Sequence, residues 1–181
     1  MSYTVKSSEK LRKSGAEVET KALLYLMNFR ADSNDIYYFV ADFFNDLTGM
    51  DNMAARLWDL QSKGAHNVGP KAIGRELVTL FKNYMSEFTF ESYILFIGSV
   101  SGAFRKDSSL TVFGIENVKD TAIKLMKEGL IEEGKTKSYI DNAHLTDENI
   151  DSFLKSVLFV IDDDKQPREY VKAIIKQHPN I

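Results

Sequence analysis

Leu57-Trp58-Asp59-Leu60-Gln61-Ser62-Lys63 alternates with a period of two. Successive side chains of an extended chain point to opposite faces, so Trp58 and Leu60 take one face and Asp59, Gln61 and Lys63 the other. The stretch reads as a strand with one apolar and one polar face, and it sets Gln61 and Lys63 side by side. A slip of one residue would turn the lysine ammonium into the core.

Upstream, Ile36-Tyr37-Tyr38-Phe39-Val40-Ala41-Asp42-Phe43-Phe44 is rich in aromatic and β-branched residues and reads as a buried strand whose aromatics belong to the core. Asn45-Asp46-Leu47-Thr48-Gly49 supplies turn or strand-end chemistry. From Gly15 to about Phe29 the spacing of Val18, Ala22, Tyr25, Leu26 and Phe29 gives a helix with one apolar face, ended by Asp32-Ser33-Asn34-Asp35. Residues 1–13 are polar and basic and read as a loose arm.

Downstream, Gly64 and Gly69-Pro70 mark a loop, and Pro70 suits the first turn of a helix that runs to about Met85, with Ile73, Leu77, Leu80 and Phe81 inward. Phe90 to Gly98 reads as a strand, Leu110 to Phe113 as strand or loop, and Val118 to about Leu130 as a helix ending near Gly129. Thr146 caps a further helix, and Asp147 and Glu148 suit its positive end. Its stripe runs Ile150, Phe153, Leu154, Val157, Leu158 and Ile161. Asp162-Asp163-Asp164 ends it as a solvated helix end, and Pro167 starts a last short helix. The order helix, strand, strand, helix, strand, then helices implies a single α/β or α+β domain over residues 1–181, its C-terminal part (about 146–181) helical.

The chain has 181 residues, of which 44% are hydrophobic and 27% charged, so disorder and low-complexity architectures are excluded and a sizeable core is expected. It has no cysteine, which removes disulfides, thiol nucleophiles and Cys-type zinc sites. Its three histidines, His66, His144 and His178, have no ligand-pair spacing. The N-terminus has no apolar signal-like region, and the longest apolar stretch is too short for a bilayer, so a cytoplasmic protein without membrane contact is expected. The net charge of −3 argues mildly against strong non-specific nucleic-acid binding but leaves room for a local basic groove.

Three features converge on phosphodiester hydrolysis. Asp46 lies at a strand end, Gln61 and Lys63 share a face of the next strand, and Glu17 and Glu19 lie on the preceding helix, which is expected to pack across that face. A divalent metal needs oxygen ligands, polarises a phosphate and acidifies bound water. An ammonium two residues along from a ligand orients that water and offsets developing charge. Polar residues on a solvent-facing strand give the bland alternative.

Gly15-x-x-x-Glu19, the Asp46 strand and Gln61-x-Lys63 followed by a helix resemble the PD-(D/E)XK nuclease core. Within that superfamily, Val40–Asp46 and Leu57–Lys63 are similar to the double-stranded DNA endonuclease domain of Cap-type effectors of bacterial anti-phage CBASS systems, which use Q-x-K for E-x-K. Phe153–Phe159 is similar to a helical region near the end of such domains. The resemblance implies a restriction-endonuclease-like mixed central sheet flanked by helices and a Mg²⁺-dependent endonuclease, with Mn²⁺ able to substitute. It makes Asp46 the principal metal ligand, Gln61 and the Ser62 backbone carbonyl further oxygens, Glu19 a ligand for a second metal or water, and Lys63 the catalytic ammonium. Glu17 is the weaker candidate.

A neutral amide in place of the second carboxylate implies weak metal binding, with millimolar Mg²⁺ dependence, and no proline precedes Asp46. Lys71, Arg75 and Lys82, at offsets of four and eleven, share a helix face that either contacts DNA or is simply solvated. Asn67, His66 and the Gly64 to Gly69 amides are further candidate phosphate contacts. Double-strand cleavage by a one-strand site needs two copies, so a homo-oligomer is expected, and the family's cyclic-nucleotide-sensing domain would be separate or missing. The alternatives are a catalytically inactive DNA-binding or assembly module of the same fold, and a nuclease acting on RNA.

Overall fold

In a computed structural model, residues 13–163, 165 and 168–172 are described. Residues 1–12 of the proposed 1–13 arm, Asp164, Pro167 and His178 lie outside them, and Lys13 begins the first helix instead of ending the arm. The elements run α1 (Lys13–Asn28), β1 (Tyr38–Ala41), β2 (Leu47–Met50), β3 (Leu57–Lys63), α2 (Pro70–Glu76), α3 (Val78–Tyr84), β4 (Phe90–Ile97), β5 (Val112–Phe113), α4 (Asp120–Thr136), α5 (Asp147–Ser156) and β6 (Val157–Ile161). Residues 168–172 are helical.

Among the described residues, six strands form one mixed sheet in the order β1-β2-β3-β4-β6-β5. β1, β2 and β3 pair antiparallel, β3 with β4 and β4 with β6 pair parallel, and β5 closes the far edge antiparallel to β6. Helices cover both faces, the α/β arrangement expected. Val18, Ala22, Tyr25 and Leu26 of α1 pack on Trp58, Leu60, Ile94 and Phe96, with Tyr170 joining them. On the other face, side chains of α2 to α5 enclose Tyr93, Leu95, Ile97, Val157, Phe159 and Ile161. β4 and β6 are thus apolar on both faces, as parallel strands between helix layers must be, while β3 keeps Asp59, Gln61 and Lys63 on one of its faces.

Several local expectations are corrected. The Ile36–Phe44 run is not a buried strand: β1 covers Tyr38–Ala41 alone, at the sheet edge, and Tyr37, Tyr38 and Phe43 are 65%, 56% and 60% exposed. β-propensity marks a pleated surface but cannot tell an edge from a centre. Leu47–Met50, read as a turn or strand end, is a strand in its own right. The helix from Pro70 breaks at Leu77 into α2 and α3.

Gly129 does not end α4, which continues to Thr136. A Cβ at Gly129 would lie 2.0 Å from the Lys71 carbonyl oxygen, and one at Gly74 would lie 1.9 Å from that of Met126. Both glycines are there so that the backbones of α2 and α4 can touch. The last apolar stripe is half helix and half strand. Thr146 Oγ1 caps α5 by accepting from Asn149 N–H at 3.2 Å. Val157-Leu158-Phe159-Val160-Ile161 is β6, so the Phe153–Phe159 likeness to a helical region does not hold along its whole length.

Asp162 is not a solvated helix end. It is completely buried, paired with Lys21 of α1 and hydrogen-bonded by the Tyr170 hydroxyl. Burial and the Asp162 hydrogen bond push the Tyr170 hydroxyl pKa far up. Lys21 also donates to the Lys165 carbonyl at 2.6 Å. Sequence distance hides this pair, because its members lie 141 positions apart.

Candidate active site

The turn between β1 and β2 carries Asp46, and it is held by side chains of the strands beneath it. Asp42 sits in the left-handed region at φ 54°, which aspartate tolerates, and its N–H donates to the Asp46 carbonyl at 3.2 Å. Phe44 N–H donates to Thr48 Oγ1 at 3.3 Å. Asn45 Nδ2 donates to both oxygens of Asp59, each at 2.8 Å. Thr48 and Asp59 are register partners in β2 and β3, so one rung of the ladder anchors the whole turn.

Held this way, Asp46 lies against the C-terminal end of β3. Its Oδ2 accepts from Ser62 N–H at 2.8 Å, Ser62 Oγ at 2.8 Å and Gln61 Nε2 at 2.9 Å. Glu19 is exposed on α1 and lines, with Asp46, Leu60 and Ser62, a cavity of about 240 Å³. Half-buried Glu17 is not among the residues lining it.

The expectation that α1 packs across the Gln61 and Lys63 face is corrected. The apolar side of α1 must bury itself against apolar residues, and those are Trp58 and Leu60 on the opposite face of β3. Gln61 and Lys63 turn toward α2 and α3 instead. Gln61 Oε1 accepts from Thr79 Oγ1 at 3.1 Å, and Lys63 Nζ pairs with Glu76 Oε1 at 2.7 Å. Gln61, Glu76 and Thr79 line a second cleft of about 280 Å³ with Arg75, Lys137 and Tyr139. Gln61 therefore reaches the Asp46 carboxylate from the far side of the strand, and Lys63 stands with Glu76.

Asp59 shares the Gln61 face but is fully buried. Its oxygens accept from Asn45 and from Asn83 Nδ2 at 2.7 Å. Burial pushes its pKa up to about 6, against the opposing pull of the Asn83 and Asn45 hydrogen bonds and of Lys82. Asn45, Asn83, Thr79 and Glu76 escaped the sequence reading. The period-two pattern could have flagged Asp59. Glu76 carries no such mark, since only the packing of α2 beside β3 brings it to Lys63.

The donor set fits a divalent cation in part. Asp46 and Glu19 supply two carboxylates to one cavity, the hard oxygen chemistry that Mg²⁺ takes. Gln61 presents its amide nitrogen to Asp46 and its oxygen to Thr79, so it becomes a ligand only with its amide turned over. No group of three or more His, Cys, Asp or Glu suited to a metal occurs among the described residues.

The expected basic face is not on one helix, since Lys71 and Arg75 belong to α2 and Lys82 to α3, and it is partly neutralised. Lys71 and Arg75 both pair with Glu132 of α4, at 2.6 and 3.4 Å, and Lys82 lies 5.8 Å from the Tyr139 ring centre. Asn67, at φ 51°, is pinned by its N–H to Ser99 Oγ at 2.9 Å, and His66 is exposed beside it. Among the described residues no helix is long and apolar enough to cross a membrane. No family model, curated protein or solved structure matches the chain.

Proposed function

We propose that the protein is a metal-dependent endonuclease that hydrolyses phosphodiester bonds of double-stranded DNA, acting in bacterial anti-phage defence. The observation that carries this reading is the Asp46 carboxylate, tied through Oδ2 to Ser62 and Gln61 and bordering one cavity with Glu19. Asp46 and Glu19 would hold Mg²⁺ or Mn²⁺, joined by the Ser62 carbonyl and by Gln61 once its amide turns. When bound, the cation supplies Lewis acidity to a phosphate oxygen and acidifies a water. The protein's own part is to orient these oxygens and to bring Lys63 to the phosphate.

Lys63, the last residue of β3 and on the face opposite the Asp46–Glu19 cavity, would have to reach round the strand end and exchange partners to take that role. Its ammonium leaves the Glu76 carboxylate for a phosphate oxygen, an anion-for-anion swap at a site where Lys63 is 43% exposed. The swap makes Glu76 a competitor of substrate. Lys71, Arg75, Lys82, Asn67 and His66 are the proposed backbone contacts, and two copies of the chain would cut the two strands.

The Lys63–Glu76 pair, together with the amide nitrogen that Gln61 turns toward Asp46, favours a second reading: a catalytically inactive module of the same fold that binds DNA or assembles complexes. Incubation of supercoiled plasmid, or of RNA of matched length, with the protein and Mg²⁺ or Mn²⁺ separates the readings. Nicking of plasmid that disappears in Asp46→Ala and Lys63→Ala, both folded, supports the nuclease. DNA retention without cleavage, unchanged by Lys63→Ala, supports the inactive module, and cleavage of RNA alone redirects the substrate.

A further inference from the structure

Asp59 is completely buried, and the groups that hydrogen-bond it are neutral amides. Burying a carboxylate is costly unless its hydrogen bonds are well made. Here the donors come from two places that would otherwise be independent: Asn83 on α3, and Asn45 on the turn. Asn83 is itself 2% exposed, so the Asp59–Asn83 pair forms a fixed floor under the turn. Asn45 Nδ2 bridges both Asp59 oxygens at 2.8 Å and ties the turn to that floor. The next residue is Asp46, whose three hydrogen bonds with Gln61 and Ser62 depend on where the turn places its backbone.

We propose that Asp59 is a positioning residue for Asp46, acting through Asn45: the buried carboxylate holds the Asn45 amide so that the Asp46 carboxylate is presented, already oriented, to the β3 end and to the cation it would bind. The proposal rests on the metal-dependent reading of the site given above. Its role is that of a partner behind a ligand, where loss commonly weakens metal affinity by about 10–100-fold.

The hydrogen-bond polarity supplies the test. Asn45→Asp replaces the donor by a second carboxylate, and because two such groups share a proton at lower pH, the measurements are made at a pH high enough to ionise both, where they repel and expel the turn. Adding Asp59→Asn restores the link in reverse, because an asparagine at 59 can donate to an aspartate at 45 while its carbonyl still accepts from Asn83. Two readouts are taken on the full chain: Mn²⁺ affinity by water-proton relaxation, and the backbone amide shift of Ser62, whose N–H is bonded to Asp46. We expect Asn45→Asp to weaken Mn²⁺ binding by about tenfold or more and to move the Ser62 amide toward the value it takes in Asp46→Ala. The double variant should return both toward wild type.

Asn45→Ala should behave like Asn45→Asp and serves if the latter does not fold. An Asn45→Asp protein with wild-type affinity and an unmoved Ser62 amide would overturn the proposal, as would a double variant no better than the single one. A wild type that binds no Mn²⁺ and cuts no plasmid would overturn the nuclease reading instead, and the Ser62 amide would still decide whether Asp59 positions Asp46.

Discussion

Asp59 couples the candidate site to stability as well as to geometry. Its carboxyl is pushed from the ordinary 3.8 up to about 6 by burial, so the folded protein holds this proton more tightly than the unfolded chain. The contribution is fully present below pH 4 and is lost as pH rises through about 6, with a ceiling of about 3 kcal/mol from the linkage relation. Asp59→Asn cannot lose that proton, and Asn45 can turn its amide to accept from it. The variant should therefore gain stability relative to wild type between pH 4.5 and 7.5, by urea unfolding at several pH values. A difference independent of pH would show that Asp59 does not titrate there. At the neighbouring pair, Glu76→Gln releases Lys63 from its carboxylate. If the chain binds DNA as proposed, the variant should tighten that binding by about threefold at fixed salt, read by fluorescence anisotropy, since one anion fewer then opposes the phosphates.

At the level of elements, the contact between α2 and α4 depends on two residues without side chains. Alanine normally favours a helix over glycine by about 1 kcal/mol. At Gly129 the new Cβ would meet the Lys71 carbonyl oxygen at 2.0 Å, and backbone cannot rotate aside. Gly129→Ala should lower unfolding stability by about 1–3 kcal/mol in spite of the propensity gain, as measured by denaturant titration. Sequence pattern took this glycine for a stop signal because a helix terminus and a close helix crossing ask for the same residue. A similar ambiguity affected Val157–Ile161. A run apolar at every position satisfies a helical stripe and a doubly covered strand alike, and periodicity does not separate them. Pairing with β4 and β5 decides the matter.

Across the whole molecule, Lys21 and Asp162 fasten α1 to the end of β6, and Tyr170 adds residues 168–172 to the same buried cluster. Removing one partner of a buried pair leaves an uncompensated charge, so Lys21→Met should cost about 3–5 kcal/mol. Lys21→Met with Asp162→Asn should recover part of it in thermal unfolding. On the proposed nuclease reading, metal dependence would also be a property of the assembled site. With two carboxylates at the shared cavity and an amide as the third side chain, plasmid nicking should half-saturate at millimolar Mg²⁺. Saturation at micromolar Mg²⁺ would require a richer ligand set than Glu19, Asp46 and Gln61 provide.

Alternation along Leu57–Lys63 and the three- and four-residue spacing from Val18 to Leu26 are local facts of the chain, and they suffice for a strand, a helix and a mixed layered fold. Strand geometry also dictates that Gln61 and Lys63 are neighbours on one face of β3, whereas Asp46 is singled out by its place at a strand end and by the resemblance to the PD-(D/E)XK core. Which layer covers which face is not local. The apolar side of α1 sought Trp58 and Leu60, leaving Gln61 and Lys63 to α2 and α3, and that choice put Glu76 on Lys63 and Asn83 on Asp59. Such partners meet only when separate segments compete to bury apolar surface, so tertiary packing alone assigned them.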